Sequence, residues 1–285
     1  MGMFTTQNHE QKTLTTSQIT TLQVPAGGKI QSCALAFFTS AGALVTEAQI
    51  RAELTNIRLT LNGQDVVNAS PVQILDLYEA MGVRVESPAA VAGVLELNIG
   101  RLLFVDPVLK DIFGYGTADV SSIQVQITAG TLSAIASVQT ITERSPVNEN
   151  LGTYCRYINY AVSFNATGDN TLDTLPRDTD SAYLALMIND GASGTITHSE
   201  VRVNSSTIRE RLNIGVNDLF NSNKGYAQPA GYFVHSFADG TLRGQLPMLG
   251  VTDLRFVTTF SVAPGAGGYT VAALTGINMP VVGSN

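Results

Sequence analysis

The sequence predicts an all-β protein made of two tandem β-sandwich or jelly-roll domains, and three observations lead to this prediction. Short runs of alternating apolar and polar residues, separated by turns rich in Gly, Pro and Asn, recur along almost the whole chain. The chain has 285 residues, which is long for one β-domain and comfortable for two. A strand, a loop and a helix also occur in the same order in each half, which indicates an internal repeat.

The composition favours a protein whose surface is largely covered by neighbours. Charged residues make up 14% of the chain and apolar residues 44%, against a usual charged share of about 25%. The formal net charge is −7, with 16 basic and 23 acidic residues, so direct binding to nucleic acid is not expected. The local basic group Arg202, Arg209 and Arg211 is interrupted by Glu210, and we interpret it as a solvated strand end.

Four segments are predicted along the chain. Residues 1–17 are rich in Thr and Gln and lack apolar periodicity, so we expect a flexible N-terminal arm that becomes ordered only against a partner. Residues 18–142 form the first domain and residues 153–285 the second. The polar stretch 143–152, which contains Ser145-Pro146, is predicted to be a linker.

In the first domain, strands are predicted around one helix. Val72, Leu75 and Tyr78 recur at helical spacing after Pro71, which suits a first helical turn, so a helix is expected near residues 71–81. Asn62-Gly63 between alternating segments predicts a hairpin. The predicted strands contain Leu22 and Val24, Ile30–Phe38, Ile57–Leu61, Val94–Ile99, Arg101–Val105, Ile123–Thr128 and Ile135–Ile141.

The second domain is predicted from the same pattern, with many short strands and one brief helix. Its predicted strands are Tyr154–Phe164, Tyr183–Ile188, Thr195–Val203, Tyr232–Phe237, Leu254–Val262 and Tyr269–Leu274.

The internal repeat is the most informative feature of the sequence. Leu59–Asn62 is followed by Asp76–Tyr78, and Val201–Asn204 is followed by Asp218–Phe220. Each segment of the second half lies 142 positions after its counterpart in the first. We expect the aliphatic side chains to fill each barrel, the Asn to cap the turn, and the helix carrying Leu77 or Leu219 to close an open end with its apolar face.

A second pairing follows in the same order. Gly116–Val120 precedes one strand and Gly250–Leu254 precedes another, with Asp119 and Asp253 separated by 134 positions. The sequence therefore predicts a shared framework whose intervening loop is eight residues shorter in the second half.

The first half also resembles a known family. The segments Val24–Gly28, Leu44–Ile50, Ile57–Gln64 and Asp76–Tyr78 resemble the N-terminal barrel of corticovirus-type coat proteins, with the resemblance strongest over residues 19–82. These proteins belong to the double jelly-roll lineage that includes the coat proteins of tectiviruses and adenoviruses. The resemblance implies two tandem eight-stranded jelly-roll barrels with a short helix in each.

The same resemblance implies a function and partners. It implies a major capsid protein of an icosahedral virus, made in the host cytoplasm and located in the virion, that assembles as pseudo-hexagonal homotrimers. Its expected partners are neighbouring capsomers, penton or spike proteins and minor capsid proteins. The shell of such viruses commonly encloses a lipid bilayer, and the N-terminal arm is expected to contact either that membrane or a neighbouring subunit.

No chemistry of catalysis, cofactor binding or metal binding is predicted. His9, His198 and His235 lack the spacing of a metal-binding jelly roll, and the two in strands are interpreted as ordinary sheet residues. There is no Gly-x-Ser-x-Gly elbow and no phosphate-binding glycine loop. Cys33 and Cys155 fall one in each half and are expected to be free, buried thiols.

One loop leaves two interpretations open. The segment from Asp169 to Asp180 contains closely spaced side chains with oxygen ligands, which can hold calcium. Their spacing is not that of an EF-hand and Arg177 lies among them, which favours a solvated surface loop. The acidic and amide residues of this Asp169–Asp180 loop are Asp169, Asn170, Asp173, Asp178 and Asp180.

The alternative function is a secreted β-sandwich binding module of the lectin or adhesin type. Carbohydrate-binding platforms favour exposed aromatic residues, and this chain has no Trp. It also shows no secretion signal, so we favour the coat protein.

Overall fold

The computed structural model describes residues 4–82, 93–103, 107–162, 166–189, 195–238, 244–264 and 269–279. The chain forms two compact units. Unit 1 comprises Met1–Leu75 and Arg84–Ile158, and unit 2 comprises Asp76–Val83 and Asn159–Asn285.

Unit 1 is built mainly from strands, and its described residues include short helices between them. Its helices are α1 (Glu47–Glu53), the first half of α2 (Pro71–Ala80), α3 (Ile99–Leu103) and α4 (Pro107–Ile112). Its strands are β1 (Thr5–Thr13), β2 (Ile19–Gln23), β3 (Lys29–Phe38), β4 (Leu54–Leu61), β5 (Gln64–Ala69), β6 (Val94–Glu96), β7 (Tyr115–Gly116), β8 (Ile123–Ala129), β9 (Ser137–Ser145) and the beginning of β10 (Tyr154–Val162).

Two sheets form this unit. The first has the order β1-β9-β3-β6, with β7 pairing to β3, and the second has the order β2-β8-β4-β5. Strict alternation of buried and half-buried residues along β8 and most of β9 gives each strand one apolar face, which is what two packed sheets require.

Unit 2 repeats this arrangement around helix α5 (Ile214–Asn223). Its sheets have the orders β15-β12-β18-β10 and β11-β17-β13-β14, with β16 pairing to β12. The strands that follow β10 are β11 (Gly168–Leu172), β12 (Ser181–Asn189), β13 (Ile196–Val203), β14 (Ser206–Asn213), β15 (Tyr232–Ser236), β16 (Leu246–Pro247), β17 (Leu254–Phe260) and β18 (Tyr269–Ile277).

Each unit is a jelly roll of eight main strands, as the sequence predicted. When the two-residue strands β7 and β16 are set aside, one sheet of each unit joins the first, eighth, third and sixth strands. The other sheet joins the second, seventh, fourth and fifth strands. The strand order is the same in both units, so the duplication extends to the whole topology.

The repeated Asn residues occupy equivalent places. Asn62 and Asn204 both have positive φ, 51° and 48°, which Asn tolerates better than most residues. The side chain of Asn62 donates to the carbonyl oxygen of Asp119 and accepts from the backbone N–H of Ser121 at 2.8 Å. The side chain of Asn204 makes the same pair of bonds in the second repeat. Each Asn therefore fastens its turn to the loop before the seventh strand, rather than capping its own turn alone.

The second sequence pairing was shifted by three residues. Leu61 lies opposite Ile123 in the first unit and Val203 lies opposite Leu254 in the second, so the seventh strands are separated by 131 positions. Asp253 is therefore equivalent to Ser122 and not to Asp119. The short Gly-x-x-Asp match fell on a turn, where the sheet register does not constrain the sequence.

The prediction of a flexible N-terminal arm over residues 1–17 was wrong for most of its length. Thr5–Thr13 form β1, which pairs antiparallel with β9 and is the first strand of the first barrel. His9 Nε2 lies 2.9 Å from the Thr142 hydroxyl, and Gln11 donates to Ser137. The segment lacks apolar periodicity because both faces of the strand are mostly exposed.

Two other predictions were corrected by the structure. Ile99–Leu103 form helix α3 where a strand was predicted over Arg101–Val105, because a short apolar run does not distinguish helix from strand. The two units also do not meet at the predicted linker 143–152, since β9 runs to Ser145 and the boundary falls within β10. Phe104, Val105 and Phe164, at the ends of predicted strands, lie outside the described residues.

Candidate assembly surface

The fifth strand of the second repeat, β14, is exposed along most of its length. It pairs with β13 on one side and is the last strand of its sheet. Ile208 in this strand has 44% of its surface exposed. Helix α5 follows directly and contacts β14, and its N-cap is Asn213, whose side chain accepts from the N–H of Gly215.

Helix α5 is attached to its barrel through two asparagines, together with Ile214 at its first turn, which is partly buried against the core. Asn217 and Asn221, one helical turn apart, are buried, and both donate to the carbonyl oxygen of Val234, at 2.9 and 3.1 Å. Asn217 also donates to the side-chain oxygen of Gln228. Polar groups thus hold the inner face of the helix.

Three large apolar residues of α5 face outward. Leu219 is 62% exposed, Phe220 54% and Val216 44%. The prediction that the helix closes its barrel with an apolar face carrying Leu219 was therefore wrong. A cluster of large exposed apolar side chains is typical of an interaction surface. We call Ile208, Val216, Leu219 and Phe220, with the cavity beside them, the β14–α5 surface.

A cavity of about 300 Å³ opens between β14 and α5. The guanidinium of Arg209 lies above the ring of Phe237, 4.9 Å from its centroid, and donates to the carbonyl oxygen of Ser236. Such an apolar hollow with cationic groups beside it is suited to receive a side chain of another protein surface. The residues that line it are Arg209, Leu212, Asn217, Phe220, Asn221 and Lys224.

The equivalent helix of the first repeat is buried at the same positions. Ile74 and Leu77 of α2 are fully buried and Tyr78 is 5% exposed, whereas their equivalents 142 positions later are Val216, Leu219 and Phe220. The second half of α2 belongs to unit 2. Leu77 is therefore buried as predicted and Leu219 is not, and Leu77 belongs to unit 2 rather than to the first barrel, whose end it was predicted to close.

The fifth strand of the first repeat, β5, is also covered. Within unit 1, two residues near the middle of β10 pair with it in parallel, Tyr157 opposite Val67 and Ile158 opposite Asn68. Arg156 adds a bond from its Nε to the carbonyl oxygen of Asp65, at 3.0 Å.

His235 lies in the core of unit 2. Its Nε2 is 2.8 Å from the hydroxyl of Ser199, which is also 3.3 Å from the hydroxyl of Thr258. Phe233, Phe237 and Phe256 surround the ring. Burial, and to a smaller extent the charge of Arg209, hold the pKa of His235 well below its ordinary value, so the ring is a neutral core residue.

The other two histidines, His9 and His198, also lie in strands. His9 lies in β1 and bonds to Thr142, and burial, followed by the charge of Arg144, lowers its pKa. His198 lies in β13, opposite Asn213 and Thr259.

The segment predicted as the Asp169–Asp180 loop begins in strand β11, which contains Asp169 and Asn170, and its first carboxylate is in an ion pair. Arg211 binds Asp169 through two bonds of 2.7 and 3.0 Å, and the Thr259 hydroxyl donates to the same carboxylate. The Thr259 bond and then Arg211 lower the pKa of Asp169. Asn170 is turned inward and bonds to backbone carbonyls. Among the described residues, no group of three His, Cys, Asp or Glu side chains is close enough to hold a metal.

The two cysteines are free and buried, as predicted. Burial raises the pKa of both thiols, so neither is a reactive thiolate. The basic group is dispersed: Arg202 pairs with Glu200, Arg209 contacts Phe237, and Arg211 pairs with Asp169. No helix within the described ranges combines the length and apolar character needed to cross a membrane.

Comparison with known proteins gives a family match in the second half. Residues 155–275 match the family described as viral coat protein P2 C-terminal domain. A search of curated protein sequences found no match.

Solved capsid structures share the fold over almost the whole chain. The major capsid protein P2 from bacteriophage PM2 is 16% identical, with a TM-score of 0.80, covering 99% of this chain and 100% of that one. The STIV major capsid protein is 13% identical, with a TM-score of 0.67 and 98% of both chains covered. The PBCV-1 virus capsid gives 10% identity and a TM-score of 0.60, covering 100% of this chain and 98% of that one.

The comparisons define the fold class. The chain has the double jelly-roll fold of these capsid proteins, and residues 155–275 match the model of a viral coat protein domain. The predicted lineage is thereby supported, and the proteins compared are structural coat proteins rather than enzymes.

The β14–α5 surface was missed in the sequence. The pattern that shows it is the pair of asparagines at positions i and i+4, Asn217 and Asn221, which occupy the inner face of the helix. Hydrophobic spacing alone indicates an amphipathic helix without showing which face the protein core takes.

Proposed function

We propose that this chain is the major capsid protein of an icosahedral virus and that it assembles as homotrimers that tile the shell. The observation that carries the proposal is the complete duplication of one jelly roll within a chain whose second half matches a coat protein domain. Two barrels in each chain give six barrels in a trimer, so three copies present a nearly hexagonal outline that packs on a surface.

The partners of such a tile follow from its position in a shell. Neighbouring capsomers surround each trimer, and penton or spike proteins and minor capsid proteins are expected at the vertices and seams. The net charge of −7 disfavours direct contact with the packaged nucleic acid. Membrane contact through an N-terminal arm is not part of the proposal, because Thr5–Thr13 are paired in β1.

Light scattering coupled to size-exclusion chromatography tests the trimer. We expect a stable species with three times the 30.2 kDa mass of one chain. Electron microscopy of the virions, or of shells assembled from this protein, should then show tiles of six-sided outline. A purified chain that remains a monomer at micromolar concentration contradicts the proposal, and glycan-array binding by that monomer favours the lectin alternative.

A further inference from the structure

We propose that the β14–α5 surface receives the first barrel of a second copy of this chain, with β14 lying alongside β1 of that copy. This inference rests on the proposed trimer and names the contact that holds the trimer together.

The template for the contact is present within unit 1. There β5, the fifth strand of the first repeat, pairs in parallel with Tyr157 and Ile158 of β10, which is the first strand of the second repeat. The side chain of Arg156 adds a bond to the backbone of β5. A fifth strand and a first strand of successive repeats are therefore already shown to pair in this protein.

The same two kinds of strand are open elsewhere in the chain. Among the described strands, β14, the fifth strand of the second repeat, is paired only with β13, and β1, the first strand of the first repeat, is paired only with β9. Open strand edges carry unpaired N–H and carbonyl groups and pair readily with another strand. By repeat position, Arg209 and Glu210 of β14 correspond to Val67 and Asn68 of β5, the residues paired with β10.

The helices repeat the contrast. The second half of α2 is packed as part of unit 2, where Leu77 is fully buried. The backbone at Gly225 comes very close to Gly82, just after α2. A Cβ added to Gly82 would lie 2.2 Å from the carbonyl oxygen of Gly225. Helix α5 holds its equivalent apolar residues in solvent, so the surface that covers them is not supplied by the described part of its own chain.

A second copy of the chain is the occupant that satisfies both observations. β1 belongs to the first repeat and the β14–α5 surface to the second, so the contact joins two different surfaces. Such a heterologous contact generates a ring of copies rather than a two-fold dimer. Three chains supply three such contacts. Each contact buries Ile208, Val216, Leu219 and Phe220.

A photo-crosslinking experiment identifies the occupant. A photoreactive amino acid replaces Leu219 in the full chain, and isotopically heavy and light chains are co-assembled so that crosslinks between copies are recognised by mass. We expect heavy–light crosslinks from residue 219 to peptides within residues 4–158. Crosslinks between copies that reach only residues 159–285 overturn the inference, as does their absence in a sample that is trimeric.

A pair of variants tests whether the surface is needed for association. Leu219→Ser combined with Phe220→Ser should raise the dissociation constant by roughly 100-fold or more, because large side chains at the centre of an interface dominate binding. The matched control is Leu249→Ser, since Leu249 is 60% exposed in the same unit but lies outside the surface. Circular dichroism and thermal unfolding report whether both variants remain folded.

The outcomes separate the two proposals. A monomeric wild-type chain overturns the proposed function itself. A trimeric wild type with a double variant that is still trimeric overturns only the assignment of the β14–α5 surface. A folded, monomeric double variant beside a trimeric Leu249→Ser chain supports both.

Discussion

The two barrels place different residues at the same positions of their cores. In the first, Ile57 of β4 lies opposite Ile127 of β8, and both side chains are fully buried. In the second, the equivalent pair is Ser199 and Thr258, also opposite each other and buried, with His235 bonded to Ser199. The same topology therefore accepts an apolar pair or a polar cluster, provided that each buried hydroxyl finds a partner.

The largest effect is expected when a polar core residue of the second barrel is placed at the equivalent position of the first. Ile57→Ser should lower the free energy of unfolding by about 3–5 kcal/mol, because it removes a buried side chain and leaves a hydroxyl without the histidine partner. Urea unfolding followed by circular dichroism, at fixed protein concentration, measures the loss. Ile57→Val is the control and should cost about 0.5–1.5 kcal/mol. Equal losses for the two variants would show that the core tolerates the unpaired hydroxyl.

The loops after the seventh strands give a second contrast. Gly130 donates its N–H to the carbonyl oxygen of Glu53, and Ser261 donates in the same way to Thr195 in the second repeat. The first barrel adds a buried carboxylate: Glu53 accepts from the N–H groups of Ser133, Ala134 and Ile135 and from the Ser133 hydroxyl. One acidic side chain thus fastens a whole loop.

Glu53→Gln should lower the stability of the first barrel by about 1.5–3 kcal/mol, since an amide replaces a charged acceptor of several bonds. Hydrogen exchange of peptides covering residues 130–136 should accelerate. Glu47→Gln, which affects an exposed i,i+4 pair with Arg51, is the control and should change stability by less than about 0.5 kcal/mol. Unchanged exchange in Glu53→Gln would contradict the anchoring role.

The carboxylate also predicts an acid dependence. Burial alone would raise the pKa of Glu53, but the donors from Ile135, Ser133 and Ala134 together bring it below its ordinary value of 4.5. The stability from this group is therefore present above about pH 4.5 and is lost as the pH falls through the lower folded pKa. Glu53→Gln should remove this part of the acid sensitivity.

Most strands and turns shared by the two barrels could be predicted from the sequence, whereas few of the features that distinguish the barrels could. Alternation predicted β4 and β8, where buried residues alternate with less buried ones along most of the strand, and apolar runs predicted β3 and β12, which are buried at nearly every residue. Leu59–Asn62 with Val201–Asn204 located equivalent turns. It did not predict β1, β11 or β14, whose polar sequences lack that alternation. Those strands are held by backbone pairing and bury few side chains, so the sequence of each lacks the apolar pattern by which a strand is predicted.

The candidate surface was harder to predict for the same reason. The repeat placed Leu77 and Leu219 at equivalent positions, and the expectation that both pack inward follows from their spacing. Whether an apolar helix face packs on its own chain or on another copy depends on tertiary and quaternary contacts, which spacing does not record. Asn217 and Asn221 decide the orientation of α5, because their bonds to Val234 turn the polar side inward.

Mild acid should affect the second barrel through His235. Its folded pKa lies well below its ordinary value of 6.5, so below about pH 6.5 the unfolded chain takes up a proton that the folded core does not. Stability is then lost as the pH falls, by up to about 1.4 kcal/mol for each pH unit. Hydrogen exchange of peptides covering β13 and β15, compared at pH-corrected rates between pH 7 and 5, should report this loss.

The control for this prediction is the triple variant Ser199→Ile, His235→Leu and Thr258→Ile, which gives the second barrel the apolar pair of the first. It should lose the acid dependence in these peptides. The half-buried His9 keeps a weaker dependence in β1 and β9, because its pKa is also lowered. Acid sensitivity of β13 and β15 that persists in the triple variant would assign the effect to other groups.

The smallest effect is expected where the barrels agree. Asn62→Gly and Asn204→Gly remove the same bonds to the loop before the seventh strand and keep a residue that accepts positive φ, so each should cost roughly 0.5–1.5 kcal/mol. Asn62→Ala and Asn204→Ala add the cost of an alanine at positive φ and should each lose about 1 kcal/mol more.

Equality of the two sites is the measured quantity, because the repeat places both asparagines in one geometry with φ of 51° and 48°. Thermal unfolding of the four variants, with hydrogen exchange to assign each loss to its barrel, gives the comparison. A large loss at one site and none at the other would mean that a shared hydrogen-bond pattern does not carry the same energy in the two barrels. Equal losses would make the Asn turn a common part of the duplicated framework, in contrast to the core cluster and the helix face, where the two barrels differ.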